Sequence, residues 1–331
     1  MNRNLKILTL LFAILIVSFV VSVMTGSVFI TPSDILNGAQ ENDVIRKIIF
    51  DIRLPRVLNS LFIGAALSCS GIILQSLLRN NLAESGLLGI SAGAGLGAII
   101  FFIFSFSSFY LITPISFISA LLTTLLIFYI SKGLNSKYTN FLSSNKIILA
   151  GIAINALLSS INGFLLIYSG KSLSHIIFWL SGGLSGKGWT EFLSTAGFIS
   201  AGLIISVFLS KEYNLLSLGS ELSTTLGLNT KRLQIFSIVL SSVLAASAVS
   251  VAGIISFVGL IIPNIAKLLL GSDHRYTIPG SILLGGIFLL VSDTIARTII
   301  SPSEIPVGIV TSFIGAPIFI WLIFKKNNSE N

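Results

Sequence analysis

The chain has 331 residues, of which 53% are hydrophobic and only 10% are charged, with a mean hydropathy of +0.97. Soluble domains carry about 25% charged residues, so an ordinary soluble enzyme and a disordered chain are both excluded and an integral membrane protein remains. The net charge of +8 reads as cytoplasmic loops facing anionic lipid; binding nucleic acid would need a basic face on a soluble fold.

About 20 mostly apolar residues are needed to cross a bilayer as a helix. The first such run, 6–25, follows Met1-Asn2-Arg3-Asn4-Leu5-Lys6. It is longer than a signal-peptide core and no small-x-small cleavage site follows, which predicts a retained span. After an outer loop over 26–56 come predicted spans at 57–78, 87–106, 112–131, 146–168, 191–210, 233–251, 254–271, 278–299 and 307–324. Gly253 is the one obvious break between the seventh and eighth, so two full spans or one span plus a re-entrant turn both fit 233–271. The reading is an all-α integral membrane protein of about ten transmembrane helices, forming a single transmembrane domain over 1–331.

Ten spans put both termini on one side. That side holds 13 of the 20 Lys and Arg residues and the other holds 7, so the positive-inside bias makes the termini cytoplasmic. Four of the seven outer cations, Arg46, Lys47, Arg53 and Arg56, sit in the 26–56 loop. A faint repeat relates Ala66, Ser68, Gly71, Ile72 and Ile73 to Ala248, Ser250, Gly253, Ile254 and Ile255 at one offset. In this topology it would be inverted, as in many transporters.

Polar chemistry within the spans is sparse. Gly89, Gly93 and Gly97 recur every four residues, a stripe that suits close helix packing or a path wall. Asp293 and Arg297, four apart, share a helical face near the outer end of the ninth span, where an ion pair or an ion-coupling acid would fit. Gly170-Lys171-Ser172 and Gly186-Lys187 lack the flanking residues of a phosphate-binding loop, so no ATP site of that kind is encoded. A single cysteine, Cys69, and two distant histidines, His175 and His274, give no metal-ligand cluster. His175, beside Phe178 and Trp179, reads as interfacial. In the cytoplasmic connection 211–232, Gly219 and Gly227 bound one or two short helices carrying Glu221, Leu222, Thr225 and Leu226. Leu222 and Leu226 make a small apolar face suited to membrane or partner contact.

Several motifs, in order along the chain, now match a known pattern. Asp51-Ile52-Arg53-Leu54-Pro55-Arg56, Gly64-Ala65-Ala66-Leu67-Ser68-Cys69-Ser70-Gly71 with Gln75, Arg79-Asn80-Asn81-Leu82-Ala83 and Gly253-Ile254-Ile255-Ser256-Phe257-Val258-Gly259-Leu260-Ile261-Ile262-Pro263-Asn264 are the first four. Gly271-Ser272-Asp273-His274-Arg275, Ser292-Asp293-Thr294-Ile295-Ala296-Arg297 and Glu304-Ile305-Pro306-Val307-Gly308 through Gly315-Ala316-Pro317 complete them. The chain resembles the FecCD-type permease subunits of iron–siderophore, haem and cobalamin ABC importers of the bacterial cytoplasmic membrane.

The resemblance implies ten helices per subunit and two permease subunits, copies or paralogues, around one path. It implies two separate ATP-binding-cassette subunits beneath, which use the ATP, and an extracellular or periplasmic substrate-binding protein above. No cofactor, metal or catalytic residue is implied for this chain. By the same resemblance, Glu221 to Gly227 would engage the ATPase groove, while Arg53, Arg56 and Arg297 would pair with acids on the binding protein, a role in which charge steers docking. The chain departs from the pattern at Asn81 (usually proline), at Asn264 and Lys267 (usually histidine and arginine) and at Ser292 (usually alanine). The rival readings are an ion-coupled secondary transporter acting alone, with Asp293 as coupling acid, and a non-transporting membrane scaffold.

Overall fold

Each apolar run folds as a helix because lipid offers no hydrogen-bond partner for an open backbone. We describe a computed structural model of the chain over residues 3–26, 43–104, 109–133 and 144–330. The helices in order are α1 (Arg3–Met24), α2 (Asp43–Lys47), α3 (Leu54–Leu78), α4 (Ile90–Ile103), α5 (Ile112–Gly133), α6 (Ser144–Ile167) and α7 (Leu173–Leu180). They continue with α8 (Trp189–Phe208), α9 (Ser210–Ser217), α10 (Ser220–Thr225), α11 (Thr230–Ala252), α12 (Val258–Leu270), α13 (His274–Thr298) and α14 (Val307–Glu330). Seven helices are long and apolar enough to cross a membrane, and α4, α12 and the apolar part of α14 are shorter. Each of the ten predicted runs falls on one of these.

Three local differences from the sequence reading have physical causes. Of the 26–56 loop, Asp43–Lys47 is α-helical and Ile48–Arg53 is a π-helical stretch that runs straight into α3, where Pro55 is tolerated because the first turn needs no backbone donor there. Residues 27–42 lie outside the described residues, as do Lys137 and the side chain of Lys326 from the count of inner cations. The seventh and eighth runs are separate helices. Gly253 at φ +73 and Phe257 at φ +70 end one and start the other, and the five residues 253–257 are non-helical. At 13 residues, α12 is about 20 Å long and falls short of the hydrocarbon thickness. The repeat is not matched in conformation at its end: Gly71, Ile72 and Ile73 are helical, whereas Gly253, Ile254 and Ile255 are not.

The helix α3 is the axis of the bundle, buried along nearly its whole length against α8, α11, α12 and α13. In lipid, helices associate through close backbone contact and side-chain-to-carbonyl hydrogen bonds. Gly64 lies against the carbonyl of Gly285, and Gly71 against that of Gly259, so closely that a Cβ at either would overlap the oxygen. Ser68 donates to the Ser281 carbonyl at 2.8 Å and Ser70 to the Ser241 carbonyl at 2.9 Å. The Gly89, Gly93 and Gly97 stripe faces α5: a Cβ on any of them would crowd Thr123 or Ser119, and Ser119 donates to the Gly93 carbonyl at 2.6 Å.

Polar contacts gather at two ends. Arg56, at the start of α3, meets the C-terminal part of α13, while Gln75 and Ser76, near its end, meet α12 and the start of α13. Asn4 bonds the Leu270 carbonyl at one end of α1, and Ser22 receives Arg297 at the other. With α3 about 37 Å long by helix rise, these ends are a bilayer apart.

Replacing Gly71 by alanine should cost about 1–3 kcal/mol through overpacking against α12. Gly197, in α8, has nothing within 4 Å of an added Cβ. Gly197→Ala should therefore leave stability unchanged or raise it by up to about 1 kcal/mol, from helix propensity alone. Thermal unfolding of the detergent-solubilised chain reads both, and equal losses would contradict the glycine contact.

Candidate functional site

The end marked by Arg56 holds a buried charge cluster. Helix α3 brings Arg56, α13 brings Asp293 and Arg297, the following loop brings Glu304, and the π-helical stretch brings Arg53. The Arg56 guanidinium forks onto Asp293, with Nη2 at 2.9 Å from Oδ1 and Nε at 3.0 Å from Oδ2, and its Nη1 lies 2.8 Å from Glu304 Oε1. Asp293 has no exposed surface, and Arg53, Arg56 and Arg297 are 5%, 8% and 5% exposed. Burial alone would raise the Glu304 carboxyl, but hydrogen bonds and charge from Arg56 hold it below its ordinary value.

The expected Asp293–Arg297 pair is therefore corrected. Arg297 turns to α1, where its Nη2 donates to the Ser22 carbonyl and lies 2.6 Å from Ser22 Oγ. Spacing of four residues brings two side chains onto one face but does not fix their partners. A planar fork arriving from a facing helix satisfies both carboxylate oxygens, which Arg297 on the same helix does not do here. Arg53 ties in the same helix end, donating at 2.9 Å to the Val23 and Met24 carbonyls. The three arginines are brought together as read from sequence, but they hold α1, α3 and α13 to one another and expose little of their charge.

At the opposite end, the 211–232 connection folds as α9 and α10, bounded by Gly219 at φ +118 and Gly227 at φ +85, a conformation that favours glycine. Ser223 is buried and reaches back with its hydroxyl to the carbonyls of Leu215, at 2.6 Å, and Gly219. Leu222 and Leu226, four apart along α10 and its C-cap, are each 59% exposed and give a small apolar stripe, and Leu218, at the end of α9, is 56% exposed. Thr225 is exposed, and the Glu221 side chain lies outside the described residues.

This hairpin is latched to the spans through Asn214, which the sequence reading did not single out. Asn214 of α9 donates to Asp273 Oδ1 at 2.7 Å, and its Oδ1 accepts from the His274 backbone N–H at 2.8 Å. Those two bonds fix the amide's orientation, so His274 Nδ1, 2.8 Å from the same oxygen, carries a proton. The other ring nitrogen sits 2.6 Å from Ser76 Oγ on α3. Hydrogen bonds from Arg275 first, and then from Asn214, hold the Asp273 carboxyl well below the usual range against a smaller opposing effect of burial. The motif Gly271-Ser272-Asp273-His274-Arg275 pointed to half of this latch. Asn214, a lone amide in an otherwise unmarked helix, had no spacing signal.

Between the two ends, the non-helical residues 253–257 border a cavity of about 660 Å³ lined by Leu180, Ser181, Ile254, Ser256, Gly308 and Phe313, among others. A smaller cavity of about 370 Å³ lies beside α7, where His175 stacks on Phe102 at 6.3 Å between ring centroids.

A helical bundle with buried charge at one end and a latched helical hairpin at the other has the build of a membrane transport subunit. The model of the FecCD transport family matches residues 14–325, and the chain belongs to that family. It is 37% identical over 296 residues to the haemin transport system permease protein HmuU of Yersinia pestis, covering 88% of this chain and 87% of that one. It is 33% identical over 343 residues to the iron(3+)-hydroxamate import system permease protein FhuG of Bacillus subtilis, covering 98% of each. The vitamin B12 import system permease protein BtuC of Vibrio parahaemolyticus is 34% identical over 335 residues, with 99% and 96% covered. The fold matches an inward-facing metal-chelate type ABC transporter with a TM-score of 0.87 at 32% identity, over 97% of this chain and 99% of that one. The chain is thus a non-catalytic, multi-pass permease subunit of an ABC importer.

Removing Arg56 leaves Asp293 buried without its fork, so Arg56→Met should destabilise the chain by about 3–5 kcal/mol. Adding Asp293→Asn should recover part of that loss, whereas Arg297→Met should cost less and gain nothing from Asp293→Asn. Thermal unfolding in detergent separates the cases; rescue of Arg297→Met alone would restore the pairing expected from sequence.

Proposed function

We propose that this chain carries an iron–siderophore complex, or a related metal chelate such as haem or cobalamin, inward across the bacterial cytoplasmic membrane by alternating access. In this reading ten spans place both termini in the cytoplasm, the 211–232 hairpin faces the two ATPase subunits that use the ATP, and the charge cluster faces the substrate-binding protein. This chain itself binds no cofactor. The supporting relatives are named for haemin, iron(3+)-hydroxamate and vitamin B12 transport, all bulky metal-bearing cargoes.

The observation that carries the proposal is the latch. A hairpin with an exposed leucine stripe is joined through Asn214 to α13 and through His274 to α3, the axis of the bundle. A push on the hairpin from below is thereby delivered to the helix that every neighbouring span packs against. Closure of the ATPase pair would bias which side of the path is open, in the sense of a two-state equilibrium shifted by differential contacts. The non-helical residues 253–257 support a path beside them, because irregular backbone at membrane depth is tolerated where it is buried or lines a cavity. Phe313, 84% exposed on the same cavity, would face the second permease subunit, a copy or a paralogue.

Lone-carrier coupling is less favoured because Asp293 is already committed to Arg56. Receptor docking by Arg53, Arg56 and Arg297 would act mainly through their field, three cations against the two acids Asp293 and Glu304, since none of the three is well exposed.

Two variants separate the faces in proteoliposomes holding the whole transporter. Arg53→Gln keeps a donor for the Val23 and Met24 carbonyls but removes the charge, and should weaken binding of the substrate-binding protein at low salt. Gly227→Val, forced into a left-handed conformation, or Asn214→Ala, which unlatches the hairpin, should reduce receptor-stimulated ATP hydrolysis with the receptor still bound. Unchanged affinity in the first case, or normal stimulation in the second, would remove that face from the account.

A further inference from the structure

The latched end also carries a feature that transport does not use. A cavity of about 650 Å³ opens where the end of α3, the second half of α12 and the last turns of α14 meet. Three cations line it, Arg79, Lys267 and Lys325, together with the amides Asn80, Asn81 and Asn264 and the apolar walls Leu82, Leu268, Phe319 and Leu322. No carboxylate is among the described lining residues. Two of the cations have neutral partners: Lys267 Nζ sits 2.8 Å from Gln75 Oε1 and 3.0 Å from Asn81 Oδ1, and Lys325 lies 4.9 Å over the Trp321 ring. Asn264 donates to the Asn81 carbonyl at 3.0 Å, closing the rim. Asn81, Asn264 and Lys267 are three of the four positions at which the chain departs from the pattern it resembles, and they meet one another here.

Three cations lining one cavity, with no acid among its described lining residues, favour an anion. Two features favour an amphipathic one. The cavity sits at the ends of three apolar helices, and Leu82 and Leu268 are each 54% exposed beside the charged floor. A basic pocket between transmembrane helices on the cytoplasmic side suits an anionic lipid headgroup, with an acyl chain running along the apolar wall. We propose that this cavity is a binding site for an anionic phospholipid of the inner leaflet, whose phosphate is held by Arg79, Lys267 and Lys325. The proposal rests on the orientation that places the latched end in the cytoplasm, and not on the identity of the cargo.

The site adjoins the coupling hairpin. A Cβ at Gly219 would lie 3.9 Å from Arg79 Nη1, so a bound headgroup would touch the same residue that faces the hinge of α10.

The test is native mass spectrometry of the whole transporter released from vesicles containing equal phosphatidylglycerol and phosphatidylethanolamine. The wild-type complex should retain phosphatidylglycerol preferentially. Lys325→Gln and Arg79→Asn remove charges that are not in the Lys267 hydrogen-bond set, and asparagine tolerates the left-handed backbone at Arg79, where φ is +48. Each should lower the retained phosphatidylglycerol by about fivefold, the worth of one cation near a membrane surface. Lys325→Arg should restore it. Inorganic phosphate added before release should not displace the lipid; displacement would assign the site to free phosphate and overturn the proposal. Equal retention by wild type and both charge-removing variants would also overturn it, as would loss of the ATPase subunits from those variants in lipid-free detergent, which would make the cavity a protein-docking site. Importer activity of a wild-type complex lacking any preference for phosphatidylglycerol would reject the lipid site while leaving the transport reading intact.

Discussion

Lipid cannot repay a helix for an unmade hydrogen bond, and it gives helices no hydrophobic reason to associate. The rest of the structure follows from how α3 meets that constraint. Its Gly64 and Gly71 let the carbonyls of Gly285 and Gly259 approach, and its Ser68 and Ser70 donate to carbonyls of neighbouring helices. Its two ends carry the polar residues, Arg56 at one and Gln75 and Ser76 at the other. A single helix thereby connects the charge cluster to the latch.

The sequence made the helical content and the membrane setting legible because both depend on composition and run length, which survive without coordinates. It also located the short helix α10, since Gly219 and Gly227 flank it in the chain as they do in the fold. Pairing across helices was less legible. Asp293 and Arg297 obey the spacing rule, yet Arg56, 237 residues from Asp293 in sequence, takes the carboxylate. Asn214 gave no signal, and Glu304 gave only its place in a motif, because their roles depend on partners from distant segments. The break at 253–257 was half visible, in Gly253 alone; that Phe257 would also adopt a positive φ was not.

Buried charge here is structural before it is functional. Asp293 is buried and forked by Arg56. Arg53 and Arg297 spend their donors on α1. A chain that uses its few charges to fix helix ends has few left among the described residues with which to couple to an ion gradient, in keeping with a permease subunit of an ABC importer.

Uptake of a radiolabelled iron chelate into proteoliposomes, with the permease assembled with or without its ATPase subunits, tests that claim most directly. The account requires uptake only when the ATPase subunits and ATP are present, and at the same rate after the proton and sodium gradients are collapsed. Uptake that persists without the ATPase subunits, or that stops when a gradient is collapsed at constant ATP, would contradict it.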